Sequence, residues 1–320
     1  MLVRISKYTW ERKKLLALGE ITKIEGKLHR NIFAGDYHYK ELKERLGNMK
    51  IEGDKDRNYR KRNYEGMAYR TWCNGEKLSI FYHRRVPFLP KCIIEISYPS
   101  IECLTGLYES LPDLNSSSIE YTLDLRCSSP VAVRRLFNVL LKYCYVPRAS
   151  KLKFYRGHSP KNKQTPELNR TYYIGNMKIY ERGEDKSRWG EGWYRRELNR
   201  VRVEFKANSR VVRDNGINSL EDLTRNCHFE TIFLPRFHLK IFRRSAILPK
   251  ENEEYAKLHK HESFQQQLIE ARERGMPNPN QYIFDAPGFE GLREKLVIRV
   301  RTFDRNWKRD SRLNTRKTVA

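Results

Sequence analysis

The sequence has no stretch that approaches the roughly 18 consecutive apolar residues a membrane-spanning helix needs. Its first residues, Met1 to Lys14, carry Arg4, Lys7, Glu11, Arg12, Lys13 and Lys14 with no apolar core between them, so they do not read as a secretory signal. No lipidation motif is visible either. Cysteine is sparse and unpatterned: Cys73, Cys92, Cys103, Cys127, Cys144 and Cys227 include no C-x-x-C pair. The adjacent Cys227-His228 is a poor chelate, because neighbouring residues rarely reach one ion. A disulfide framework and a zinc ribbon are therefore both unexpected, and the thiols read as reduced and mostly buried in a cytoplasmic protein. Internal repeats and low-complexity segments are absent. Acidic residues are the other scarce class. Asp plus Glu number 39 against 64 Lys plus Arg, a formal charge of +25. A folded chain with that excess repels itself unless an anionic partner is expected, and nothing in the sequence favours a membrane surface as that partner. A nucleic acid is the expected partner, with strongly salt-dependent binding.

Apolar residues make up 39 % of the 320, with 12 % aromatic, enough to form a core and to exclude a disordered chain. Residues 1 to about 65 are polar and basic, and Asp54 to Tyr64 (DKDRNYRKRNY) reads as an exposed loop or arm. The pattern then changes. Leu78–Tyr82 and Cys92–Tyr98 read as strands separated by Pro87 and Pro90. Ile101–Leu111 reads as a short helix before Pro112. Ile119–Leu125 alternates as a strand, and Pro130 opens an amphipathic helix over Val131–Tyr143 with apolar Val133, Leu136, Phe137, Leu140 and Leu141. Strands are expected at Lys151–Tyr155, Arg170–Gly175, Met177–Glu181, Arg200–Lys206 and Leu296–Phe303, and helices at Leu220–Arg225 and Glu253–Arg274. The fold class is α+β, an antiparallel β-sheet core with flanking helices. Three regions are expected: a basic N-terminal region over 1–77, an α+β core over 78–245 and a basic C-terminal helical region over 246–320. From Arg293 to Lys317 ten basic residues face three acidic ones, which suggests a DNA-facing tail.

On the Ile119–Leu125 strand, Glu120, Thr122 and Asp124 share one face, with the two carboxylates about 13 Å apart. They are either a solvated sheet face or separate contributions to a site. In Val201–Lys206, Arg202, Glu204 and Lys206 point to one side. A carboxylate between two cations suits a metal ligand and equally a structural ion pair. The segment Thr171–Gly183 reads as a tight hairpin turning at Gly175 and Asn176. Its second strand sets Tyr180 beside Lys178, Glu181 and Arg182. A phenol so flanked can attack a phosphodiester, or can simply pack in the sheet.

The order of these segments resembles the Rep_trans family of rolling-circle replication initiators of plasmids and filamentous phages. Glu120-Tyr-Thr-Leu-Asp124 takes the place of a D-x-A-x-D-like strand, Tyr172 to Gly175 matches a T-x-Y-x-G strand, Lys178 to Arg182 matches R-x-Y-D/N-K, and Arg202 to Lys206 matches R-x-E-x-K. Cys92 to Cys103 resembles the strand and loop that precede the acidic pair. The resemblance spans about residues 78 to 245. It departs from the family at Glu120, where Asp is usual, at Arg182, which replaces a frequent Lys, and in a shorter hairpin before Met177. It implies an endonuclease architecture of the HUH/Rep type. It also implies Tyr180 as the nucleophile that nicks one strand and becomes 5′-phosphotyrosyl linked, assisted by Lys178 and Arg182. Glu120, Asp124 and Glu204 would bind Mg²⁺ or Mn²⁺, with His228 and His238 as substitute ligands. Arg202, Lys206, Arg188, Arg195 and Arg196 would hold DNA. Partners implied are origin DNA, single-stranded or hairpin, and on the family's account a host helicase; a homodimer is the oligomer to test. Tyr172, Tyr173 and Tyr194 are alternative nucleophiles. The competing readings are a non-catalytic DNA- or RNA-binding protein, with Tyr172, Tyr180 and Trp193 stacking on bases, and a metal nuclease that uses water.

Overall fold

The computed structural model describes residues 18–47, 49–51, 63–72, 75–157, 169–182, 199–242, 263–275, 283–286 and 288–319. The chain divides into two compact units. One comprises Met1–Gly26, Leu123–Phe205 and Phe233–Arg299, and the other Lys27–Thr122, Lys206–Ile232 and Val300–Ala320. The class is α+β with a large antiparallel sheet. The expected arm from Lys55 to Arg62 lies outside the described residues. So do Cys73 and the first part of the Glu253–Arg274 helix.

The second unit holds β1 (Ile21–Gly35), α1 (Tyr39–Leu46), β2 (Lys50–Ile51), β3 (Tyr64–Thr71), β4 (Lys77–Arg84), β5 (Cys92–Ser97), α2 (Ile101–Ser110) and β6 (Asn115–Cys127), although β1 and β6 give their distal residues to the first unit. Its strands run β2-β3-β4-β5-β1-β6. Ile94 and Ile96 of β5 and Leu78 and Ile80 of β4 have no solvent exposure, as alternation at period two requires. Ser100 caps α2 by accepting from the Cys103 N–H at 3.1 Å.

The first unit adds α3 (Pro130–Tyr143), β7 (Cys144–Tyr145), β8 (Leu152–Gly157), β9 (Asn169–Ile174), β10 (Met177–Arg182) and β11 (Arg200–Asn208), whose residues from Lys206 on belong to the second unit. Here the strands run β6-β11-β10-β9-β8. Helix α3 starts where its sequence signals say it should. Ser129 accepts from the Ala132 N–H at 3.2 Å and Pro130 occupies the first turn. The helix buries Leu136, Phe137 and Leu140 and packs on β10. The sheet face beneath it is apolar: Met177, Ile179, Val201 and Val203 are fully buried. The chemistry-bearing side chains of β10 and β11 consequently share the other face.

Three short helices follow in the second unit: α4 (Ser209–Asp214), α5 (Leu220–Arg225) and α6 (Phe229–Phe233). The first unit continues with β12 (His238–Phe242), α7 (Phe264–Glu273) and β13 (Ile283–Asp285), which with β7 forms a small sheet in the order β13-β12-β7. Last comes α8 (Phe289–Val319), 31 residues long. The strand expected at Leu296–Phe303 is thus the interior of a helix. Its core-facing side chains are Phe289, Leu292, Leu296, Val300 and Trp307, a helical spacing that eight residues are too few to reveal. No described helix is long and apolar enough to cross a membrane.

Candidate active site

In the first unit, antiparallel pairing sets Lys178 opposite Glu204 and Tyr180 opposite Arg202. Directly opposed residues share a sheet face, so these four side chains converge. Glu204 is 2 % exposed. Its Oε1 accepts the Tyr180 hydroxyl at 2.5 Å and its Oε2 meets Lys178 Nζ at 3.3 Å. The same ammonium stands 4.2 Å from the centroid of the Tyr180 ring. A phenol, a carboxylate and an ammonium are therefore assembled on two adjacent strands. Backbone pairing fixes their register, so no loop has to order for them to meet.

Asp124 has partners that its motif does not suggest. Arg200 Nη1 donates to its Oδ2 at 2.8 Å, Arg202 Nε donates to Oδ1 at 2.6 Å, and Arg202 Nη2 donates to Oδ2 at 2.9 Å. The carboxylate is 0 % exposed and the two arginines 1 %. Both oxygens are committed to guanidinium, so metal ligation would strip a buried ion triad. Arg202 likewise cannot serve as an open phosphate contact; the expectation that it points outward on β11 fails, because burial of Asp124 draws it inward. Lys206, the next residue but one after Glu204, is exposed as expected. The solvated-face reading of Glu120, Thr122 and Asp124 also fails, since Thr122 and Asp124 are fully buried.

In the second unit, Glu120 on β6 meets a residue the sequence reading missed. His29 Nδ1 lies 3.0 Å from Glu120 Oε2. The imidazole is tilted against Tyr98, centroids 4.6 Å apart, and the His29 carbonyl accepts the Tyr98 N–H at 2.6 Å. Tyr98 adopts a left-handed φ of 53°, which a tertiary constraint must hold in place. A signal for His29 existed in the run from Leu28 to Phe33, whose Ile32 and Phe33 favour a strand. The density of charge around it in residues 1–65 concealed it. His228 and His238 prove occupied elsewhere. His228 Nε2 pairs with the Asn226 amide at 3.0 Å, and His238 Nε2 with the Pro235 carbonyl at 3.0 Å. Burial pushes both imidazoles below the usual histidine range.

The rival tyrosines separate clearly. Tyr172 faces the apolar side of β9, where it is 3 % exposed and donates to Ser263 Oγ at 2.9 Å. Burial pushes its phenol well above the usual value, which keeps it protonated. Tyr173 sits opposite Lys178, on the face that carries Tyr180. Tyr194 and Trp193 lie outside the described residues, as do Arg188, Arg195, Arg196 and the Arg182 side chain.

No protein-family model matches the sequence, and no curated protein matches it. Among solved structures, the chain is similar to the rolling-circle replication initiator protein from Geobacillus stearothermophilus, at 11 % identity and a TM-score of 0.44, over 72 % of this chain and 91 % of that one.

Proposed function

We propose that this protein initiates rolling-circle DNA replication by nicking one strand with Tyr180, in a reaction that uses a divalent cation. The observation that carries the reading is the Tyr180–Glu204–Lys178 cluster. It stands on the two segments, Lys178 to Arg182 and Arg202 to Lys206, whose order and spacing carry the resemblance to replication initiators. In the reaction the Tyr180 oxygen attacks the scissile phosphorus. An O–P bond forms to the tyrosine and the P–O3′ bond breaks, leaving a 5′-phosphotyrosyl linkage and a 3′ oxygen that takes a proton from water to become the 3′ hydroxyl. Glu204 accepts the phenolic proton, and Lys178 balances the negative charge that develops on the phenol oxygen and the phosphate. Rejoining the 3′ hydroxyl reverses the same steps.

In the second unit, His29 and Glu120 are side chains that would hold the cation. His29 Nδ1 and Glu120 Oε2 lie 3.0 Å apart, and both are atoms that can ligate a divalent cation. Carboxylates suit Mg²⁺ and Mn²⁺ alike, whereas an imidazole favours the softer ion, so Mn²⁺ is the better fit. When bound, the cation polarises the phosphate and stabilises the leaving 3′ oxygen.

The test is an SDS-resistant adduct on single-stranded origin DNA, with Mn²⁺ or with EDTA. The expected result is a metal-dependent adduct that Tyr180→Phe abolishes while DNA binding survives. An adduct that persists in Tyr180→Phe moves the nucleophile to Tyr173 or another tyrosine. Cleavage without an adduct favours a water-using nuclease. Tight, salt-sensitive binding without either favours a non-catalytic binding protein.

A further inference from the structure

Strands β4 and β5 of the second unit are joined by seven residues, Arg85 to Lys91. That is longer than most hairpin connections. At its tip Phe88 is 86 % exposed, more than any other large hydrophobic residue among those described. An aromatic ring left so fully in water is not part of the fold's own packing.

The backbone beneath the ring is held by several hydrogen bonds. The Leu89 N–H donates to the Val86 carbonyl at 3.1 Å, closing a turn with Pro87 and Phe88 at its centre, and Pro87 fixes its own φ. The Arg84 guanidinium donates to the Leu89 carbonyl. The Tyr64 hydroxyl donates to the Pro90 carbonyl at 2.7 Å, and the Arg85 N–H donates to the Asn63 carbonyl at 2.8 Å. Leu89 packs inward against the buried cluster of Tyr64, Met67 and Phe81. The turn therefore directs one apolar neighbour into the core and the other into solvent. Arg84 and Arg85 are exposed and Lys91 half-buried around it, with Asp36 nearby accepting from the Lys91 N–H at 3.4 Å.

We infer that Phe88 is a stacking wedge for a nucleic-acid base, with Arg84, Arg85 and Lys91 supplying charge for the flanking phosphates. An aromatic ring between cations matches the base–phosphate repeat of a nucleic-acid strand. Holding the ring rigidly in advance removes the ordering cost that a flexible loop would incur on binding. The β5 end of the hairpin pairs with Gly35 at the end of β1, six residues and roughly 20 Å along that strand from His29. A wedge there engages bases several nucleotides away from any phosphate near His29. This inference rests on the nucleic-acid reading and assigns it a contact that the nicking chemistry does not require.

Fluorescence of 2-aminopurine, placed singly along a hairpin oligonucleotide, reads the wedge directly. One position is expected to change on binding of the wild type and to lose that change in Phe88→Ala, with affinity reduced about tenfold and the salt slope unaltered. Phe88→Trp is expected to restore both. Since the ring is exposed, neither substitution should move the melting temperature. Phe88→Ala that binds and perturbs every probe as the wild type does overturns the wedge and leaves the nicking reading intact. Loss of self-association by sedimentation, with DNA binding unchanged, overturns it in favour of a contact between copies. A wild type that binds no nucleic acid overturns both readings.

Discussion

Asp124 and Glu204 are both buried carboxylates that the sequence presents in acidic motifs, and their partners decide what each can do. Glu204 is bonded to a phenol and an ammonium, groups that can give up or balance a proton during a reaction. Asp124 is locked by two guanidinium groups that remain charged at any accessible pH. Removing one partner of such a buried triad leaves unpaired charge, which costs about 3–5 kcal/mol. Asp124→Asn is therefore expected to lower folding stability by that order, and the midpoint of urea unfolding measures it. Glu204→Gln keeps the shape of its cluster and changes mainly its charge, so it is expected to lose adduct formation with a smaller loss of stability. The reverse pattern, a stable but inactive Asp124→Asn, would return Asp124 to the metal.

At the scale of elements, what the sequence made legible was whatever local chemistry dictates. Helix α5 spans Leu220–Arg225 as its pattern predicts, because Ser219 and Asp222 form a capping box. Asp222 Oδ2 accepts the N–H groups of Asn218 and Ser219, each at 2.9 Å, and the Ser219 Oγ accepts the Asp222 N–H at 3.1 Å. Burial alone would raise the Asp222 pKa, but these donors and Arg225 together hold it below the usual carboxylate range. A depressed folded-state pKa contributes stability above the unfolded value of about 3.9 and loses it as pH falls through the folded one. Asp222→Ala is thus expected to lower stability by about 1 kcal/mol at neutral pH. In thermal melts the gap from wild type should narrow below about pH 4. The hairpin at Gly175 was legible for a similar reason, its φ of 57° calling for glycine. The missed elements are those that long-range pairing creates. Strand β1 reads as a basic stretch until β5 pairs with it, Arg30 to Ser97 through Gly35 to Cys92. His29 went unseen with it. Likewise nothing local to Arg202 says that it turns inward to Asp124, 78 positions away.

Across the whole molecule the formal charge of +25 is the largest single fact about how it meets a partner. Helix α8 presents part of that charge in order. Arg301, Arg305, Lys308 and Arg312 recur at spacings of four, three and four, so they form one stripe, and all four are exposed. The stripe lies on the far side of the helix from buried Val300 and Trp307. Arg301 is paired with Glu230 at 2.7 Å, which leaves Arg305, Lys308 and Arg312 as the side chains to test. If each neutralises a phosphate of a single strand, each adds about 0.7 to the slope of log affinity against log salt. The triple alanine variant is therefore expected to bind with a slope shallower by about 2, measured by fluorescence anisotropy over about 50–200 mM salt. Adduct formation at saturating DNA should not change, because positioning charges carry affinity and not the chemistry. An unaltered slope would mean that the stripe faces away from the DNA. The excess charge engaging the strand would then have to reside elsewhere on the molecule.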